Sequence, residues 1–203
     1  MNKQFISAAQ LEQDSWAFAD AIFRSGHDPD WIIGVARGGL PIALYLHEIL
    51  GHLSGRPKHF AAIQAQRYTG IGTAEKAVKF RGVEEAVRDI QPAERVLVVD
   101  DIFDRGHTLS CLCATLKPLL TARQAELHTA ALYYKPGCSE VDIRPDFFLK
   151  TVPPETWLVF PHELDGLSHE ELAQKKRGQE AGFGVQDSEG MTTKGAEHTK
   201  QKK

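Results

Sequence analysis

The sequence predicts an α/β fold, a mainly parallel twisted sheet flanked by helices, and three features carry that expectation. Short unbroken runs, Trp31-Ile32-Ile33-Gly34-Val35 and Arg95-Val96-Leu97-Val98-Val99, have the character of strands covered on both faces. Each leads through a glycine-bearing turn into a stretch with helical spacing, residues 40–50 in one case and 107–120 in the other. Strands that alternate with helices in this way form parallel sheets, because parallel neighbours need a long crossover that a helix supplies. The chain has 203 residues, 42% apolar and 25% charged, which suits one globular domain with its own core.

The elements follow in order. Ser7-Ala8-Ala9-Gln10 has the form of a capping box, in which hydroxyl and amide side chain satisfy each other's orphan amides. Leu11, Ser15, Phe18, Ala19, Ile22 and Phe23 then recur at helical spacing, and Gly26 is placed to end the helix in a left-handed conformation. After the strand over residues 31–35 come Gly38-Gly39 and a helix over residues 40–50, closed by Gly51. Residues 59–65 form the next strand, and residues 66–78 mix glycine, threonine and charge without a period, as a long functional loop does. The run into Asp100-Asp101 is the strongest strand, followed by a helix over residues 107–120. Residues 127–134, Phe147-Phe148-Leu149 and Trp157-Leu158-Val159-Phe160 read as further strands. From Ala173 onward too little apolar surface remains to offset the entropy of ordering. The expected organisation is a domain over residues 1–170, with its core in residues 31–163, and a disordered polar tail over residues 171–203.

Several function classes are excluded at this stage. With a net charge of -3 and no basic block in the domain, nucleic acid is not an expected partner. The apolar runs fall short of the ~20 residues that span a bilayer, and Met1-Asn2-Lys3-Gln4 leads into an amphipathic pattern rather than a signal-peptide core. The expectation is a cytoplasmic protein that does not engage a membrane. Cys111, Cys113 and Cys138 lack zinc-ligand spacing and read as packing residues.

Chemistry concentrates in residues 96–108. In an open parallel sheet, ligands collect at the carboxyl ends of the strands, and there the best strand delivers Asp100 and Asp101. Ile102-Phe103-Asp104-Arg105-Gly106-His107-Thr108 turns into the next helix, and the amides of such a turn and helix start form a concave anion site. Thr108 adds a hydroxyl, and the two aspartates are placed to accept from paired hydroxyls such as those of a ribose. The Gly-x-x-x-x-Gly-Lys-Ser/Thr and Gly-x-Gly-x-x-Gly phosphate motifs are both absent, which speaks against an ATPase or a dinucleotide enzyme.

Hydrophobic strand, two acids, two apolar residues, Asp, any residue, Gly, any residue, Thr: this pattern resembles the phosphoribosyl-pyrophosphate signature of the type I phosphoribosyltransferases. The resemblance extends over residues 31–163 and implies that family's fold, with a small base-binding subregion. Ile33-Gly34-Val35-Ala36-Arg37-Gly38-Gly39-Leu40-Pro41 is similar to the family's pyrophosphate loop, where the peptide before the basic residue is often cis. Tyr133-Tyr134-Lys135-Pro136 and Thr156-Trp157-Leu158-Val159-Phe160-Pro161-His162-Glu163 resemble the purine branch, in particular microbial xanthine-guanine and hypoxanthine enzymes.

Roles follow by position. The resemblance implies that Ala36, Arg37, Gly38, Asp100, Asp101, Asp104, Arg105, Gly106, His107 and Thr108 bind phosphoribosyl pyrophosphate, with Asp104 the catalytic acid/base at the purine N7. Lys135 would donate to the 6-oxo group, Trp157 would stack on the base beside Leu158, and Asp100, Asp101 and Glu163 would hold Mg2+. Tyr68 falls in the loop that closes over the reacting centre in related enzymes. Arg105 and His107 depart from the small residues common in relatives, Glu163 is longer than the usual aspartate, and His162 replaces a common tryptophan. The implied function is transfer of the 5-phosphoribosyl group to hypoxanthine, guanine or xanthine, releasing pyrophosphate in purine salvage, by a homodimer or homotetramer. The alternative is a regulator of the same fold that senses phosphoribosyl pyrophosphate or a nucleotide. Transfer to uracil or orotate would leave the Lys135 and Trp157 segments without a purpose.

Overall fold

A computed structural model of the chain describes residues 2–67 and 78–180. In chain order the elements are β1 (Asn2–Phe5), α1 (Ala8–Arg24), β2 (Trp31–Ala36), α2 (Gly39–Ser54), β3 (His59–Arg67), β4 (Val78–Arg81), α3 (Val83–Val87), β5 (Arg95–Phe103), α4 (His107–Thr121), β6 (Glu126–Tyr134), a 3-10 turn at Pro136–Cys138, β7 (Phe147–Thr151), β8 (Thr156–Val159) and α5 (His169–Glu180). They fall into two units, the first ending at Glu163 and the second beginning at Leu164.

In the first unit a six-stranded sheet has the order β4-β3-β2-β5-β6-β7. Every pairing in it is parallel except that of β4 with β3. Alternate side chains of the buried strands serve two cores. Ile32, Leu97, Val99, Ala130 and Leu132 pack with α1 and α2, while Ile33, Val35, Val96, Val98 and Ala131 pack with α3 and α4. Covering both faces is what allows these strands to be continuously apolar. The parallel α/β architecture expected from the alternation of strands and helices is therefore the observed one, and all its central strands end at the same edge.

The structure departs from the sequence expectations at particular points. The Ser7 hydroxyl accepts from the Gln10 amide at 3.0 Å, but the Gln10 side chain donates to Asp14 at 2.7 Å instead of closing the capping box. Gly51 lies inside α2, and the left-handed cap is Gly55, with φ 66. β3 runs on to Arg67, and β4 with α3 follows the segment taken for a loop. Tyr68 lies outside the described residues. β8 does not join the main sheet: it pairs in parallel with β1, whose polar sequence carries no strand period.

The second unit holds α5, so residues 173–180 are helical where composition suggested disorder. The Ser168 hydroxyl accepts from the Glu171 amide at 3.2 Å, and the Glu171 carboxylate accepts from the Ser168 amide at 2.7 Å. That reciprocal capping box starts the helix, and the Leu-Ala-Gln-Lys-Lys-Arg run that follows consists of good helix formers. Among the described residues no helix is long and apolar enough to cross a membrane.

Candidate active site at the carboxyl edge of the sheet

The turn from β2 into α2 lies against the end of β5. A Cβ on Gly39 would meet the Val99 carbonyl oxygen and stand 2.9 Å from Asp100 Cα, and a Cβ on Gly38 would overlap the Asp101 carboxylate. Only glycine at both positions lets this loop sit directly on the two acids. The Ala36–Arg37 peptide is cis, and Arg37 is exposed at the rim.

Asp100 and Asp101 follow the fully buried run of residues 96–99 in β5 and are themselves half-buried. The Asp101 amide donates to Asp100 Oδ1 at 3.0 Å, and the Ile102 amide donates to Asp101 Oδ1 at 2.7 Å. Desolvation under the loop, reinforced by the charges of Asp100 and Glu163, pushes the Asp101 carboxyl well above the usual carboxylate range. One ligand atom from each of Asp101, His162 and Glu163 lies within 4.8 Å of the others. Two carboxylates brought together in this way fit Mg2+, which binds through one or two carboxylates and completes its shell with water and phosphate oxygens. Two of the three expected metal residues, Asp101 and Glu163, are thus brought together, and His162 stands with them.

Beyond Phe103 the chain makes the turn into α4 that the sequence marks as the expected anion loop. Gly106 takes φ 82 as the N-cap of α4, and a Cβ there would collide with the Phe103 ring and lie 2.5 Å from Val141. Asp104 is therefore not the cap of this helix. Its Oδ2 lies 3.4 Å from Lys135 Nζ. The Lys135 side chain is only 8% exposed, so the ammonium is held at the acid rather than spread into solvent. β6 runs alongside β5 in register to Tyr134, and the Lys135 amide donates to the Phe103 carbonyl at 2.9 Å, which delivers the lysine to this position. Cys138 packs beside the same pair: desolvation, with the hydrogen bond and charge of Asp104, raises its thiol pKa.

Arg105 and His107 share one partner. Arg105 Nη1 lies 2.9 Å from Glu140 Oε1, and His107 Nε2 lies 2.6 Å from Glu140 Oε2. The Glu140 amide also donates to the Arg105 carbonyl at 3.0 Å, tying the anion loop to the segment after β6. Trp157 stands on β8 opposite Lys3 of β1, whose ammonium lies 4.7 Å from its ring centroid. The Leu158 side chain is buried in the core, so only its backbone can meet a ligand. Glu140, Cys138 and Lys3 have no local sequence signal; His162, expected only as the replacement of a tryptophan, has one in its place beside Glu163.

The family model for the phosphoribosyl transferase domain matches residues 3–167. Over 176 residues the chain is 29% identical to the hypoxanthine-guanine phosphoribosyltransferase of Lactococcus lactis, covering 84% of this chain and 85% of the relative. The solved purine phosphoribosyltransferase of Pyrococcus horikoshii matches with a TM-score of 0.62 and 28% identity, over 83% of this chain and 98% of its own. The xanthine-guanine-hypoxanthine phosphoribosyltransferase of Helicobacter pylori shares the fold, with a TM-score of 0.63 and 24% identity over 87% of this chain and 99% of its own. Together with the acid pair, the anion loop and the glycine loop packed on them, these findings show that the chain belongs to the phosphoribosyl transferase domain family and resembles its purine branch.

Proposed function

We propose that the protein transfers the 5-phosphoribosyl group from phosphoribosyl pyrophosphate to a 6-oxopurine, hypoxanthine, guanine or xanthine, in purine salvage. The observation that carries this reading is the Asp104–Lys135 pair, an acid and a buried ammonium 3.4 Å apart at the edge of the anion loop. A purine placed over them would meet Lys135 at its 6-oxo group and Asp104 at N7. A lysine donor suits a carbonyl and opposes the amino group of adenine, which is selection by mismatch. Trp157 and the Leu158 backbone complete the base side on this reading.

In the reaction a purine ring nitrogen forms a bond to the anomeric carbon as the bond from that carbon to pyrophosphate breaks, and pyrophosphate leaves with the electron pair. The purine proton passes to Asp104, help that is typically worth about 10² to 10⁴ in rate. The turn amides from Arg105 to Thr108 hold the 5-phosphate, while Ala36, Arg37 and Gly38 face the pyrophosphate. Asp100 and Asp101 orient the ribose hydroxyls. Asp101 and Glu163, with Asp100 beside them, would hold magnesium, which supplies positive charge to the departing pyrophosphate. The resemblance also supports a Tyr68 loop that closes over the centre, a domain over residues 1–170 with a polar tail, a cytoplasmic setting and a homodimer or homotetramer.

Incubation with magnesium, phosphoribosyl pyrophosphate and each of hypoxanthine, guanine, xanthine, adenine and uracil tests the reading. Nucleotide and pyrophosphate should form in equal amounts with an oxopurine, and Asp104→Asn should slow turnover by roughly 10² or more. Binding of the sugar phosphate with no turnover of any oxopurine would overturn the enzyme reading in favour of a sensor. Turnover unchanged in the variant would remove the role of Asp104.

A further inference from the structure

We propose that His162 joins Asp101 and Glu163 as a third ligand, so that this cation site takes a divalent first-row transition ion in preference to Mg2+. The inference rests on the reading of Asp101 and Glu163 as carboxylates that hold a cation, and it deepens that reading. Three observations carry it.

The first is the composition of the cluster. Asp101, His162 and Glu163 offer two carboxylate oxygens and one imidazole nitrogen within 4.8 Å of one another. Donors on opposite sides of an ion bonded at ~2.1 Å stand ~4.2 Å apart, so modest side-chain rotation closes the set around one ion. The second is local rigidity. The Glu163 amide donates to the Phe160 carbonyl at 3.0 Å and the Phe160 amide donates to Glu163 Oε2 at 3.3 Å, closing the turn Phe160-Pro161-His162-Glu163 with proline at its second position. That turn presents imidazole and carboxylate side by side. The His162 ring is also stacked on Phe160, with centroids 5.7 Å apart and an interplanar angle of 19°. The third is the fixed carboxylate opposite. Asp101 lies against Gly38, where a Cβ would displace it, and its Oδ1 accepts from the Ile102 amide at 2.7 Å.

Mg2+ is a hard ion that seeks oxygen and gains little from an imidazole. Nitrogen donors add affinity along the series from Mn2+ to Cu2+, and imidazole suits the later members while carboxylate suits the earlier ones. A mixed site of this kind therefore separates Mg2+ from the transition ions through its single nitrogen. His162 is the residue that confers this selectivity, and Phe160 holds its ring in place.

Co2+ is a suitable probe because its paramagnetism shifts the resonances of ligand protons. The metal-free full chain is titrated with Co2+ and, separately, Mg2+ by calorimetry, and the Co2+-loaded protein is examined by proton NMR for a shifted imidazole N–H signal. His162→Phe keeps an aromatic ring on Phe160 and removes the nitrogen. It should abolish that signal and weaken Co2+ binding roughly tenfold or more, at least the loss that removing a mere supporting residue of a metal site brings, while Mg2+ binding changes less than about twofold. Unchanged Co2+ affinity and an unchanged shifted signal in His162→Phe would overturn the role of His162. If Asp101→Asn and Glu163→Gln also leave Co2+ binding unchanged, the carboxylate reading fails with it; if they abolish binding, only the His162 inference fails.

Discussion

His27 follows α1, with its ring centroid 4.3 Å from that of His128 and 4.9 Å from that of Phe147. It is buried, and among the described residues its Nε2 has no hydrogen-bond partner. Desolvation first, then the charges of His128 and Arg95, hold its pKa down to about 4, against the opposing pull of Asp146 and Glu126. The unfolded chain takes up this proton near pH 6.5, the folded chain only near pH 4, so the unfolded state binds more protons between the two. Stability is therefore fully present above about pH 6.5 and falls as pH drops towards 4, by roughly 3 kcal/mol from this group. Urea midpoints measured across that window should show the fall, and His27→Phe should flatten it. An equal slope in the variant would assign the acid sensitivity to other groups. At this scale the sequence was informative wherever structure depends on neighbours along the chain: the spacing of Asp100, Asp101, Asp104, Gly106 and Thr108 marked the turn from β5 into α4. It was silent on Glu140, which stands 33 residues from His107 and meets it only through folding.

The glycine loop shows what an element contributes. Gly39 begins α2 with the Val99 carbonyl and Asp100 Cα so close that no side chain fits, and the atoms in the way are backbone and cannot yield cheaply. Gly39→Ala should push the loop off the end of β5, costing about 1–3 kcal/mol of stability by overpacking and raising KM for phosphoribosyl pyrophosphate. Denaturation midpoints and steady-state kinetics report the two effects, and wild-type values in both would show that the loop accommodates the methyl group. The strands and helices of the sandwich were legible because burial on both faces writes itself into apolar runs and helical periods. β1 was not legible: the Asn-Lys-Gln-Phe segment is mostly exposed, and its strand conformation comes from pairing with β8 through the backbone. β4 and α3 were missed for the same reason, being short and only partly buried. α5 was missed because a polar composition outweighed its capping box.

Across the whole first unit, a buried polar knot joins segments far apart in sequence. Asp14 on α1 is 4% exposed and accepts from the Tyr133 hydroxyl at 2.6 Å, Lys150 at 2.6 Å and Gln10 at 2.7 Å. Burial works to raise the Asp14 pKa, but the hydrogen bonds from Lys150, Tyr133 and Gln10 prevail and the net shift is downward. Tyr133 and Lys150 stand on β6 and β7, 119 and 136 residues away, so the knot fixes where α1 lies on the edge of the sheet. Apolar periodicity said that α1 covers the sheet, but a pairing over such a distance has no local trace. Lys150 is half exposed and adds little, whereas the Tyr133 hydroxyl is buried and would be left without an acceptor. Replacing Asp14 by Leu should therefore cost more in the wild-type background than in Tyr133→Phe, where the orphaned hydroxyl is already gone. The difference, read from urea denaturation of the two single variants and the double variant, should be about 1 kcal/mol or more. Costs that add to within about 0.3 kcal/mol would show the two groups to be independent, leaving the placement of α1 to its apolar face alone.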